Sequence, residues 1–364
     1  MSQPAARARW IDVTRGFAIL FVVMHHAGTY ERALFSVPEH GLSDIWLGME
    51  LLLYHLRLPL FFFISGALGS GHFSRSGEPR LNAMFQMART YWLWGLILGI
   101  LVPNWPMDGV GVHLDAWHFL GLIWGMSAAW YLWAIGLCFT FAFATRSLST
   151  PGALIASLIA GGILQWELTD LGGSVQSLGR CLPLYMLGFR APVLGGWIVN
   201  QHGLRKVTFP LVIYLSALGA SNRFPIPDVI LDLGGVTVGL LCVGLFLRKA
   251  PQRTAWLEWI GLRTLPIYLL HFPIIAALGC ESIRLAPQWT PDHPLILVYV
   301  PLLAGLSVAL GLLLYAMIVR AGGARLFMPP PLSALYPALF RRKSDEALKN
   351  EPLARRFPMD GETG

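Results

Sequence analysis

Arg15 and His26 stand eleven positions apart, and the stretch between them is apolar except for His25. At ~100° and 1.5 Å per residue, that spacing puts both side chains within roughly 20° of each other on one helix face, about 16 Å apart along the axis. His25 is turned about 100° from that face and is expected to serve packing or a supporting hydrogen bond. Asp12, three residues before Arg15, is placed to pair with it. An imidazole with an ordinary pKa of roughly 6.5 is suited to take a proton from a hydroxyl. It can equally attack a carbonyl and carry the group as an acyl-imidazole, and spacing does not separate these routes.

Other ionisable residues interrupt apolar runs further along: Glu50, His55 and Arg57 in one, His271 in another. At the centre of a bilayer an Arg, Lys or Asp costs roughly 2.5 to 3.5 kcal/mol, so each requires a role. Arg57 offers a fork of donors to a developing oxyanion or to phosphate; its alternative is a pair with Glu50, seven residues earlier on nearly the same face. His271 can orient an acceptor, assist proton transfer or join two helices. Ser65-Gly66 reads as a close-packing element. A protease pairing of Ser65 with His271 is disfavoured because Phe63 stands where a glycine should precede the serine.

The elements that must hold these residues follow from composition. Of 364 residues, 55% are hydrophobic and 13% charged, about half the roughly 25% charged content of soluble domains. The apolar runs approach the ~20 residues a helix needs to cross the hydrocarbon core and show no strand-like alternation. They predict an all-α, polytopic membrane bundle of about ten spans, at 16–29, 45–68, 91–102, 128–144, 148–166, 178–199, 207–221, 229–247, 265–280 and 295–319. The sixth, interrupted by Pro183, Arg190 and Pro192, reads as a broken helix beside a cavity. Residues 117–126 read as interfacial. Residues 1–325 form the membrane domain and 326–364 a charged, largely disordered cytoplasmic tail.

Charge gives an independent topology. With both termini in the cytoplasm, all of the 27 Lys and Arg residues fall in cytoplasmic segments except Arg32, Arg57, Arg180, Arg223 and Arg284, as the positive-inside rule demands. The net charge of +7 therefore reports orientation, and no aromatic-basic module points to nucleic acid. The four cysteines lack metal-ligand spacing, so neither a metal site nor a disulfide framework is expected. The first span has no small-residue cleavage site after it and is expected to stay in the protein.

Four segments taken in order carry a resemblance: Arg9-Trp-Ile-Asp12-Val-Thr-Arg15 through His25-His26, Arg57-Leu-Pro59-Leu-Phe-Phe-Phe-Ile-Ser65-Gly66, Trp130-Tyr131-Leu132-Trp133, and Tyr268-Leu-Leu-His271-Phe-Pro273. Together the chain resembles the acyltransferase 3 family of membrane-bound carbohydrate O-acyltransferases, and Arg57-Leu-Pro59 is similar to its glucan-modifying succinyltransferase branch. The resemblance implies transfer of an acetyl or succinyl group from cytoplasmic acyl-CoA, a donor substrate rather than a bound cofactor, to a hydroxyl of a cell-surface or periplasmic glycan. It implies a bacterial inner-membrane location, with lipid, acyl-CoA and glycan as partners and the oligomeric state left open. His26, Arg57 and His271 become the catalytic candidates, Arg15 and Arg89 the donor-binding ones, and Asp12, His25, Glu50 and Tyr268 their supports. Topological anchoring is the alternative for Arg15 and Arg89. The sequence departs from the family at Gln86-Met-Ala-Arg89, which keeps one arginine where relatives often carry two. A transporter of a glycan or small anionic solute would share the helix count and the buried charges, but no interrupted segment in the other half matches the sixth.

Overall fold

The computed structural model describes residues 9–35, 44–73, 81–101, 116–168, 172–201, 203–285 and 294–327. Among the described residues all regular structure is helical. The first three helices are α1 (Arg9–Phe35), α2 (Asp44–Phe73) and α3 (Leu81–Leu101). A short α4 (Ala116–Ile123) falls on the run read as interfacial, and α5 (Trp130–Ala144) and α6 (Thr150–Gly162) follow. Next come α7 (Gly173–Arg190), α8 (Pro192–Val199), α9 (Leu204–Ser221), α10 (Asp228–Lys249), α11 (Ala255–Gly261), α12 (Thr264–Leu285) and α13 (Ile296–Arg320).

Length and hydropathy qualify four helices as membrane spans: α2 over Asp44–Ser70, α10, α12 over Thr264–Ser282, and α13. A fifth arises if α7 and α8 are one broken span. The sixth apolar run is thus divided, with α8 bent 86° away from α7. The cause is local, since Pro192 can neither donate into the ladder nor allow helical geometry at Ala191 before it. Residues 328–364, most of the expected tail, lie outside the described residues. Its first residues belong to the bundle: Trp94 donates to the Leu326 carbonyl at 2.9 Å, and Phe327 is buried against Trp94 and Tyr315.

Glycine sets how closely the central helices approach. A Cβ at Gly66 of α2 would stand 2.0 Å from the carbonyl oxygen of Tyr185 in α7, and one at Gly188 of α7 would stand 2.0 Å from that of Phe63 in α2. This reciprocal pair brings the two backbones into direct contact, as small residues do between membrane helices. Gly16 of α1 and Gly261 of α11 make the same exchange with Leu257 and Asp12. The largest core, with Ile19, Val23, Leu60, Leu240, Ile267 and Val300 at its centre, joins α1, α2, α10, α12 and α13. A second core packs α5, α6 and α7 onto Phe62 of α2.

Candidate active site

The helices α1, α2, α5, α7 and α12, with Met87 of α3, wall a cavity of about 970 Å³, at the upper end of what small-molecule sites occupy. From α1 it receives Arg15, Ile19, Val22, His25 and His26, so the eleven-residue spacing does place Arg15 and His26 on one wall. Along α2 the lining runs from Leu47 to Leu68. At 1.5 Å per residue this is about 31 Å, the thickness of the hydrocarbon core. The two ends differ chemically: Arg15 and Thr264 stand at one, Glu50, Ser174 and Ser177 at the other.

At the first end, Arg15 donates to the Thr264 hydroxyl and lies 3.6 Å from the Asp12 carboxylate. At the second, the Nδ1 atom of His25 is 3.6 Å from Glu50 and 3.3 Å from the Thr29 hydroxyl. His25 also lines the cavity, so a turn of one residue does not remove it from so wide a wall. Arg57 is buried, lines the same cavity and has its guanidinium carbon 5.8 Å from the Tyr54 ring.

His26 and His271 come together from α1 and α12 with ring centroids 5.2 Å apart. His271 stands behind the wall: it is buried, while its neighbours Tyr268 and Phe272 face the cavity. Its Nδ1 lies 2.7 Å from the Tyr268 carbonyl and 3.1 Å from that of Ile267. Carbonyls only accept, so Nδ1 carries the proton and Nε2 of the neutral ring is the basic nitrogen. That Nε2, like Nδ1 of His26, is buried without a hydrogen-bond partner among the described residues. Tyr268 accepts from the backbone N–H of Tyr131 at 3.0 Å and donates to the Ala128 carbonyl at 2.9 Å, fixing the start of α5. Ser65 shares a 2.7 Å hydrogen bond with the Tyr131 hydroxyl, and the next residue is the tightly packed Gly66. Arg89 is half-buried on α3; of that helix, the described cavity lining includes Met87 but not Arg89.

One constellation was not singled out from sequence. Asp232 of α10, fully buried, accepts from Arg180 of α7 through Nε at 2.9 Å and Nη2 at 2.6 Å. It also meets Nδ1 of His55 in α2 at 2.7 Å. Arg180 reaches the Tyr54 carbonyl at 3.0 Å and lays its guanidinium 3.8 Å from the centre of the Tyr54 ring, which forms part of the cavity wall. The available signal was a lone Asp and a lone Arg inside apolar runs, each too costly to leave uncompensated.

A helical membrane protein whose long polar-ended cavity has His26 in its wall, backed by the buried His271, is the class these features define. Residues 8–316 match the family model described as an acyltransferase domain, and the chain belongs to the acyltransferase 3 family. It is similar to the Inner membrane protein YcfT of Escherichia coli (strain K12), 26% identical over 353 residues that cover 89% of this chain and 97% of that protein. No solved structure matches the chain. Among the described residues no group of three or more His, Cys, Asp or Glu is placed to hold a metal ion.

Proposed function

We propose that the protein is a multi-pass inner-membrane acyltransferase that moves an acetyl or succinyl group from acyl-CoA to a glycan hydroxyl. One observation carries the reading: Arg15 and His26 line a single cavity whose other end presents Glu50, Ser174 and Ser177. Arg15 then meets donor phosphate at the cytoplasmic end, and the thioester reaches past it to His26, about 16 Å along α1. The glycan enters from the Glu50 end, in keeping with an orientation set by the Lys and Arg distribution.

In the step itself, His26 takes the proton of the acceptor hydroxyl as its oxygen attacks the thioester carbonyl. A C–O bond forms, the C–S bond breaks, and the coenzyme A thiolate leaves with the proton returned from His26. Arg57 supports the transient oxyanion. His271, held by two carbonyls, fixes the ring of His26 from behind. Attack by His26 itself, with an acyl-imidazole intermediate, uses the same groups in a different order.

Purified protein given radiolabelled acetyl-CoA or succinyl-CoA tests this directly. Wild type should release coenzyme A or become labelled, and His26→Ala should lose about 10²- to 10⁴-fold of that rate. His25→Ala, which removes contacts with Glu50 and Thr29 rather than the proposed base, should keep a measurable fraction. Inert donor together with glycan uptake would replace the enzyme by a transporter, and a dead His25→Ala beside an active His26→Ala would move the base to His25.

A further inference from the structure

Away from the histidine cavity, α8, α9 and α10 enclose a second cavity of about 560 Å³. The bend of 86° turns α8 across the end of α7, a geometry that suits an interfacial position. Its Trp197 is 62% exposed, and Phe209 of α9 is 69% exposed. Indole rings favour that depth, between hydrocarbon and headgroups. Arg205 and Lys206 stand at one end of the cavity, and Pro210, five residues further along α9, at the other. That is about 7.5 Å of helix, over which the lining changes from cationic to apolar.

The cations are prepared for an anion. Lys206 is held by a 3.0 Å hydrogen bond to the Gln201 side chain, and the Arg205 guanidinium has no hydrogen-bond or ion-pair partner among the described residues. The described lining contains no carboxylate. This end of the bundle also carries Trp10, which packs on α8 at Gly195, and Arg248 and Lys249 at the end of α10; it is the basic face.

We propose that this cavity binds one anionic glycerophospholipid, with its phosphodiester between Arg205 and Lys206 and the start of an acyl chain along Phe209 and Leu241. A guanidinium fork and an ammonium match phosphate oxygens, and basic pockets between membrane helices on the cytoplasmic side take anionic headgroups. The proposal stands independently of the acyltransferase reading.

Native mass spectrometry of the purified full chain tests it, with phosphatidylglycerol as probe and phosphatidylcholine as reference. Wild type should retain one phosphatidylglycerol preferentially. Each cation near a headgroup contributes about fivefold, so Arg205→Gln combined with Lys206→Gln should weaken retention about thirtyfold. The exchange Arg205→Lys with Lys206→Arg, which keeps both charges, should restore most of it and show that the fold is intact. Arg248→Gln with Lys249→Gln, on the same face outside the cavity, should behave as wild type. Retention unchanged in the Gln variant, equal loss in the Arg248/Lys249 variant, no preference over phosphatidylcholine, or full displacement by millimolar inorganic phosphate would each overturn the lipid site.

Discussion

Replacing Asp232 by Asn keeps the size of the side chain and removes its charge from a site with no exposure to solvent. Three close contacts converge on this carboxylate, two from Arg180 and one from His55. Arg180, itself buried, then keeps its positive charge with no counter-ion at its centre. Breaking such a pair from one side costs about 3 to 5 kcal/mol, and because neither partner is exposed no discount for solvent screening applies. Thermal unfolding in detergent, followed by loss of the monodisperse chromatographic peak, should show a large fall in melting temperature for Asp232→Asn and a similar one for Arg180→Met. The combination Asp232→Leu with Arg180→Met removes both charges together and should be less destabilised than either single variant, because no uncompensated ion is left behind. If Asp232→Asn melts like wild type, or if the double variant loses as much as the two singles added, the network is not an ion pair working in a dry interior.

Gly66→Ala places a methyl group 2.0 Å from a backbone carbonyl oxygen, so it should part α2 from α7 and reduce accumulation of folded protein, measured by fluorescence-detected chromatography; normal yield would refute direct backbone contact. His271→Ala should lower turnover at saturating donor and leave the apparent donor affinity unchanged, since His271 lies behind His26 and outside the cavity; a changed donor affinity alone would refute the positioning role. Arg89→Ala should raise the donor requirement more than it lowers turnover if the residue meets phosphate, and Arg89→Lys should fall between. Unchanged donor affinity would leave Arg89 as a topological anchor.

What could be read from the chain was whatever depends on one helix at a time. The spacing of Arg15 and His26, the break before Pro192 and the close packing at Gly66 are local properties, and each reappears in the bundle. Helical phase turns His25 about 100° from His26 but does not decide whether it meets the cavity, because a wall built from several helices accepts neighbours that a narrow groove would exclude. The union of His55, Arg180 and Asp232 escaped notice for another reason. His55 and Asp232 are 177 positions apart and Arg180 and Asp232 are 52 apart, and helix periodicity carries no information about which distant faces meet. His271 was found as a residue, but its station behind His26 depends on the packing of α12 against α1.

A cavity whose lining along α2 is as long as the hydrocarbon core is thick raises a question of leakage. A cell that stores energy as a proton gradient cannot leave a wetted channel through its membrane. Between Arg57 and Ser65 the α2 wall of the cavity consists of Leu58 and Phe61, and the Tyr131 ring stands 5.5 Å from that of Phe61. Apolar rings lining a narrow passage favour loss of water, and a dewetted stretch blocks ions without a moving gate. Under the proposed function the same rings would sort by hydration: an uncharged acetyl chain can pass Phe61, whereas a charged nucleotide or a sugar would have to shed a shell of water that nothing there replaces. On that reading the seal and the substrate filter would be the same few rings.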